Sequence, residues 1–66
     1  MYSAFAWKLA KARRAKGLTQ GELAAKLGRS RAAIANWEVG NSLPELPMFV
    51  DLCKALKVKP NDILGF

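Results

Sequence analysis

Histidine is absent from these 66 residues, and cysteine occurs once, as Cys53. Without histidine the chain has no imidazole base near neutral pH, and one cysteine cannot build a Cys/His metal site. No nucleophile stands beside a base, and no glycine-rich loop follows a strand-like run. Neither enzymatic activity, a metal nor a cofactor is therefore expected. Cys53 cannot close an intramolecular disulfide, which suits a reducing cytoplasm. Long apolar runs are missing as well: none approaches the ~20 residues of a membrane span. The leading MYSAFAWKLAKARR is broken by Lys8 and offers no small-residue cleavage site, so it does not read as a secretion signal.

Acidic residues are scarce. Five Asp and Glu face eleven Lys and Arg, giving a net charge of +6. That balance favours polyanionic partners, nucleic acid first and acidic membrane surface second, although many small soluble proteins are also basic. Glycine and proline are few, and 52% of the residues are hydrophobic, which argues for a folded chain rather than disorder. A chain this short makes one small domain, residues 1–66, burying only about 60% of its unfolded surface.

What is present is helical. Residues 4–16, AFAWKLAKARRAK, contain no breaker, are rich in strong helix formers, and carry Phe5 and Leu9 on one stripe. Gly17 stops this helix. Thr19 and Glu22 have the Thr-x-x-Glu spacing of a capping box, opening a second helix over 20–27 that buries Leu23, Ala24 and Leu27. Gly28 ends it, and Ser30 caps a third helix over 31–39, with Gly40 as terminator. Two helices joined by a short glycine-containing turn have the form of a helix-turn-helix. After the loop NSLPELP, a fourth helix over 47–57 carries Pro47 in its first turn and presents Phe49, Leu52, Cys53 and Leu56. A last short helix covers 61–64. There is no repeat, strand alternation or linker, so the expected architecture is all-α: a compact bundle of five short helices.

Two charges fall where apolar side chains belong. The stripe Phe5–Leu9 continues to Arg13, and the stripe of the third helix runs from Ile34 to Glu38. Burying either alone would cost roughly several kcal/mol, so the two are expected to pair across the first and third helices. The alternative is that each reaches solvent at its helix end. The opposite face of the third helix shows water small side chains, one amide and one guanidinium: Arg31, Ala32, Ala35, Asn36 and Val39. A helix that only bounded a core would show rows of Glu and Lys instead.

Arg13, Gly17-Leu18-Thr19-Gln20, Glu22-Leu23-Ala24, Leu27-Gly28, Ser30, Ile34, Trp37-Glu38, Gly40 and Pro44 together resemble the helix-turn-helix domain of phage repressors and Cro proteins, the XRE-like family. The likeness runs from about Phe5 to Leu64. It implies a lambda-repressor-like DNA-binding fold whose third helix lies in the major groove of double-stranded DNA. The family's base-reading positions fall on Arg31, Ala32 and Asn36, with Ala35 close by. Its backbone-contacting positions fall on Thr19, Gln20 and Ser30, and its Arg–Glu pair on Arg13 and Glu38. Where relatives often carry Lys or Arg after the third helix, this chain has Asn41-Ser42-Leu43, so the phosphate clamp there is either weak or left to Asn41, Ser42 and backbone amides.

In that setting Arg31 can grip guanine O6 and N7, and Asn36 adenine N6 and N7; the alternative is a phosphate contact for Arg31, and a phosphate contact or a merely solvated amide for Asn36. Ala32 and Ala35 give clearance or touch a thymine methyl. Trp37 is expected to cover the core, and Cys53 to act as a small buried hydrophobe. Lys8, Lys11, Arg14, Lys16, Lys26 and Arg29 would supply diffuse attraction, though not all can face one duplex. The implied function is a sequence-specific transcriptional repressor or regulator, acting as a homodimer on a pseudo-palindromic operator. Its dimer contacts are expected at Val58, Pro60, Ile63, Leu64 and Phe66, unless these simply close the monomer core. The competing function is an antitoxin-like or other protein-interaction module, which could also bind DNA; against a purely protein-binding role stands the lack of large apolar anchors on the third helix. Membrane-surface binding by the first helix is disfavoured by Arg13 on its apolar face.

Overall fold

Four of the helices end in the same way, and these endings set the path of the chain. In the computed structural model, which describes residues 3–64, the order is α1 (Ser3–Ala15), α2 (Gln20–Leu27), α3 (Arg31–Glu38), α4 (Leu46–Leu56) and α5 (Pro60–Leu64). At each of the first four C-termini, two backbone N–H groups fold back onto carbonyls of the last turn. Leu18 donates to Arg13, Arg29 to Ala24, Asn41 to Asn36 and Val58 to Cys53, each paired with a bond from the residue before to a carbonyl three residues back. This closure requires a left-handed residue just past the helix. Gly17, Gly28 and Gly40 supply it with φ of 70°, 66° and 82°, whereas after α4 the position falls on Lys57 at φ 56°.

The helix starts are also built from side chains. The Thr19 hydroxyl accepts the Glu22 N–H at 3.0 Å while Glu22 Oε1 accepts the Thr19 N–H at 2.8 Å, completing the capping box. Ser30 Oγ accepts the Ala33 N–H at 3.2 Å. Glu45 stands before α4 without a side-chain cap, and α4 starts at Leu46, one residue earlier than the proline suggests, leaving Pro47 within the first turn. α5 begins at Pro60 itself, and Asp62 Oδ2 accepts the Lys59 N–H at 3.0 Å. α1 ends at Ala15 and α3 at Glu38, each one residue short of the sequence expectation.

The apolar faces meet in one core. Leu9, Leu23, Ile34, Leu52, Leu56 and Ile63 are fully buried, with Phe5, Ala24, Trp37 and Cys53 around them. Leu27 is only partly buried and packs at the margin of this cluster. α2 packs on α3 and α4, and α1 packs on α3 and α5. α3 is therefore held by helices on its inner side and free on its outer one. No described helix is long and apolar enough to cross a membrane.

Candidate nucleic-acid interface

The seat of α3 is fixed by a buried ionic cluster. Arg13 Nε donates to Glu38 Oε2 at 2.6 Å and Nη2 donates to Glu38 Oε1 at 3.0 Å, the two-pronged contact that guanidinium geometry favours. Their side chains are 9% and 5% exposed, so neither charge reaches solvent as the alternative reading required. The hydrogen bonds that Arg13 donates to Glu38, reinforced by the Glu38 charge against the opposing effect of burial, hold the Arg13 pKa above its ordinary value.

Two further bonds were not apparent from the helical stripes. Arg13 Nη1 donates to the Leu18 carbonyl at 2.7 Å, pinning the turn between α1 and α2. Gln20 Nε2 donates to Glu38 Oε1 at 3.1 Å, tying the first residue of α2 to the last of α3. Each of the three Arg13 nitrogens thus donates to protein, and Glu38 collects three hydrogen bonds. No buried side-chain nitrogen or oxygen among the described residues lacks a partner.

Outward from this cluster, α3 presents a mixed and open face. Arg31, Ala32 and Asn36 are exposed, Ala35 is half-buried, and Val39 is 68% exposed just past the helix end. Trp37 turns the other way and is buried. Asn41 lies beside Asn36: its backbone N–H donates to the Asn36 carbonyl at 3.0 Å, and its Nδ2 to Asn36 Oδ1 at 3.5 Å. Ser42 is half-buried next to it. The Thr19 and Ser30 hydroxyls accept backbone N–H groups at the helix starts and keep their own protons for another acceptor. The face carries donors and small apolar groups but no carboxylate.

The residues expected at a dimer contact differ in their burial. Ile63 is fully buried in the monomer core, in keeping with the alternative that these residues close the core. The cause is the pitch of α5, which turns Ile63 inward against α1. Val58 is half-buried against the same core, and Pro60 is exposed. Phe66 lies outside the described residues. Leu64, 40% exposed, instead joins an apolar groove with Phe5, Leu43, Pro44, Leu46 and Phe49. Leu46 is 74% exposed, and Val50, one turn further along α4, is 43% exposed. The sequence pattern hides this groove because its residues come from three separate segments.

The helix-turn-helix family model HTH_3, which represents Cro/C1/XRE-type domains, matches residues 9–63. Among curated proteins none matches by sequence. Solved structures are similar over nearly the whole chain. The restriction-modification controller protein C.AhdI from Aeromonas hydrophila is 31% identical, with 94% of each chain covered and a TM-score of 0.87. The clp gene regulator ClgR from Corynebacterium glutamicum is 26% identical, covering 97% of this chain and 68% of that one, with a TM-score of 0.89. A second ClgR structure, also 26% identical, covers 97% of this chain and 83% of its own, with a TM-score of 0.86. The all-α bundle, its spacing of helix ends and this match over most of its length lead to one assignment: the chain belongs to the Cro/C1/XRE-type helix-turn-helix family of DNA-binding transcription regulators.

Proposed function

We propose that this protein binds a specific duplex sequence with the outer face of α3 in the major groove, and that it regulates transcription, as a repressor, by occupying an operator. The observation that carries the reading is the division of α3 into a locked inner side and an open outer side. Arg13, Gln20 and Glu38 hold the inner side. Arg31 and Asn36 offer the donor and acceptor pairs that distinguish guanine and adenine, and Ala32, Ala35 and Val39 leave room for close approach and contact with thymine methyls. Thr19, Ser30, Asn41 and Ser42 supply hydroxyl and amide donors suited to phosphate, and Gln20 keeps one amide hydrogen for the same use.

One copy presents too small a surface for tight specific binding, so two copies act together on half-sites about one helical turn apart. The groove of Phe5, Leu43, Pro44, Leu46, Phe49 and Leu64 suits a second copy. Charge supports this choice. Two chains of +6 repel except where cations are absent, and the segment 41–53, which forms most of the groove and α4, contains no Lys or Arg.

Selection of bound duplexes from a random pool, at stated salt, tests the function. Enrichment of a pseudo-palindrome is the expected result. Retention of all sequences alike would reduce the protein to a non-specific DNA binder.

A further inference from the structure

Trp7 has no part in the core or in the outer face of α3, yet it is 55% exposed. Lys8 Nζ and Lys11 Nζ stand 5.7 Å and 5.8 Å from the centre of its ring. Beside them a cleft of about 390 Å³ opens between α1 and α5, with Ala12, Ala15 and Val58 giving it apolar walls. Lys11 lies nearly opposite Arg13 around α1, so the cleft faces away from α3.

We propose that this cleft docks an acidic segment of another protein, its carboxylates on Lys8 and Lys11 and an apolar side chain between Trp7 and Val58. The charge is complementary: two ammonium groups converge on one ring, and neither makes a salt bridge to a carboxylate among the described residues. Asp62 also borders the cleft, its Oδ2 accepting the Lys59 N–H at 3.0 Å, so its one negative charge stands against the two positive charges of Lys8 and Lys11. Base stacking is a poorer fit, because the two lysines crowd the ring a base would need. A duplex backbone or a lipid surface would meet the charges but would not fill a concave apolar cleft. Facing away from α3, the cleft remains open when α3 is occupied, so one molecule can hold DNA and the acidic partner together.

The test is a titration of the isotope-labelled protein, followed by NMR, with the model peptide acetyl-EELEEL-amide and with its uncharged counterpart acetyl-QQLQQL-amide. The proposal expects saturable shifts of the Trp7 indole and the Val58 amide with the acidic peptide only. It also expects Trp7→Ala and Lys11→Gln each to weaken binding at least fivefold. Both side chains are exposed, and an unchanged amide spectrum elsewhere verifies the fold of each variant. Three results would overturn the proposal: no saturable shift at millimolar peptide, shifts centred on Arg31 and Asn36, or equal binding by the uncharged peptide. So would saturation of the cleft by oligo-dT or by phosphatidylglycerol vesicles without any response to the peptide.

Discussion

Gln20 and Glu38 stand 18 residues apart in sequence and 3.1 Å apart in space, the Gln20 amide donating to the Glu38 carboxylate. This bond ties the start of α2 to the end of α3. A phosphate drawn to Gln20 would therefore press on the same carboxylate that sets the angle of α3.

Breaking the cluster should be costly in a way that depends on which partner goes first. Arg13→Met and Glu38→Gln are each expected to destabilise the fold by about 3 kcal/mol, because each leaves its partner poorly matched in a buried place. The double variant should lose clearly less than the sum. Gln20→Ala should cost about 1 kcal/mol, since Arg13 still neutralises Glu38. Urea midpoints of the four proteins measure all three effects, and strictly additive losses would remove the case for coupling.

Lys57 offers a route to higher stability. It holds the left-handed position that glycine fills after the three preceding helices. Lys57→Gly is expected to stabilise the protein by about 0.5–1 kcal/mol, while Gly28→Ala should destabilise it by about 1 kcal/mol. A Cβ on Gly28 would meet nothing within 4 Å, so that loss would come from the backbone alone. Thermal melts of the two variants should shift in opposite directions.

Cys53 gives stability a dependence on alkaline pH. Burial first, and the negative charge of Asp62 second, push its thiol up from the ordinary value. The unfolded chain then loses this proton at lower pH than the folded one. Between the two pKa values the native state binds more protons, so stability falls as pH rises above about 8.5. Cys53→Ala removes this component. The stability advantage of the wild type over the variant should therefore be largest near pH 7 and shrink by pH 10, as read from urea midpoints.

Asn36→Ala separates base reading from phosphate contact. Loss of discrimination at one base pair, worth about 1–3 kcal/mol, is expected on selected duplexes. A uniform loss on every sequence would reassign Asn36 to the backbone. In the wild type, contact with four to six phosphates should make log K fall with log salt at a slope of roughly −4 to −5.

Leu46→Asp should prevent pairing without harming the monomer, because Leu46 is 74% exposed. Sedimentation should find the variant monomeric where the wild type dimerises, with operator affinity at least tenfold weaker. Ile63→Asp makes a useful contrast: it would unfold the monomer, since Ile63 is fully buried.

Much of this architecture is legible in the sequence because its signals are local. The Thr19–Glu22 spacing, Ser30 and the three terminating glycines mark the ends of α1, α2 and α3 within a residue. Arg13 and Glu38 were also legible, because each interrupts an apolar stripe and each needs the other. The Gln20–Glu38 bond was not, since an exposed-looking glutamine at a helix start carries no periodic trace of a distant partner. Lys57 escaped notice because nothing in a lysine announces a left-handed backbone. Whether Ile63 faces the core or a partner was left open by the sequence, because a helix of five residues, Pro60–Leu64, is too short to reveal which face it buries.

The division of α3 has a consequence for how such a protein changes over generations. Arg31 and Ala32 touch nothing that holds the bundle together, and Asn36 makes only one long side-chain bond, to Asn41. Replacing them should leave folding intact while altering the target, so a duplicated copy could acquire a new operator in a few steps. On the reading proposed above, the scaffold that presents these residues is insulated from the bases they would meet.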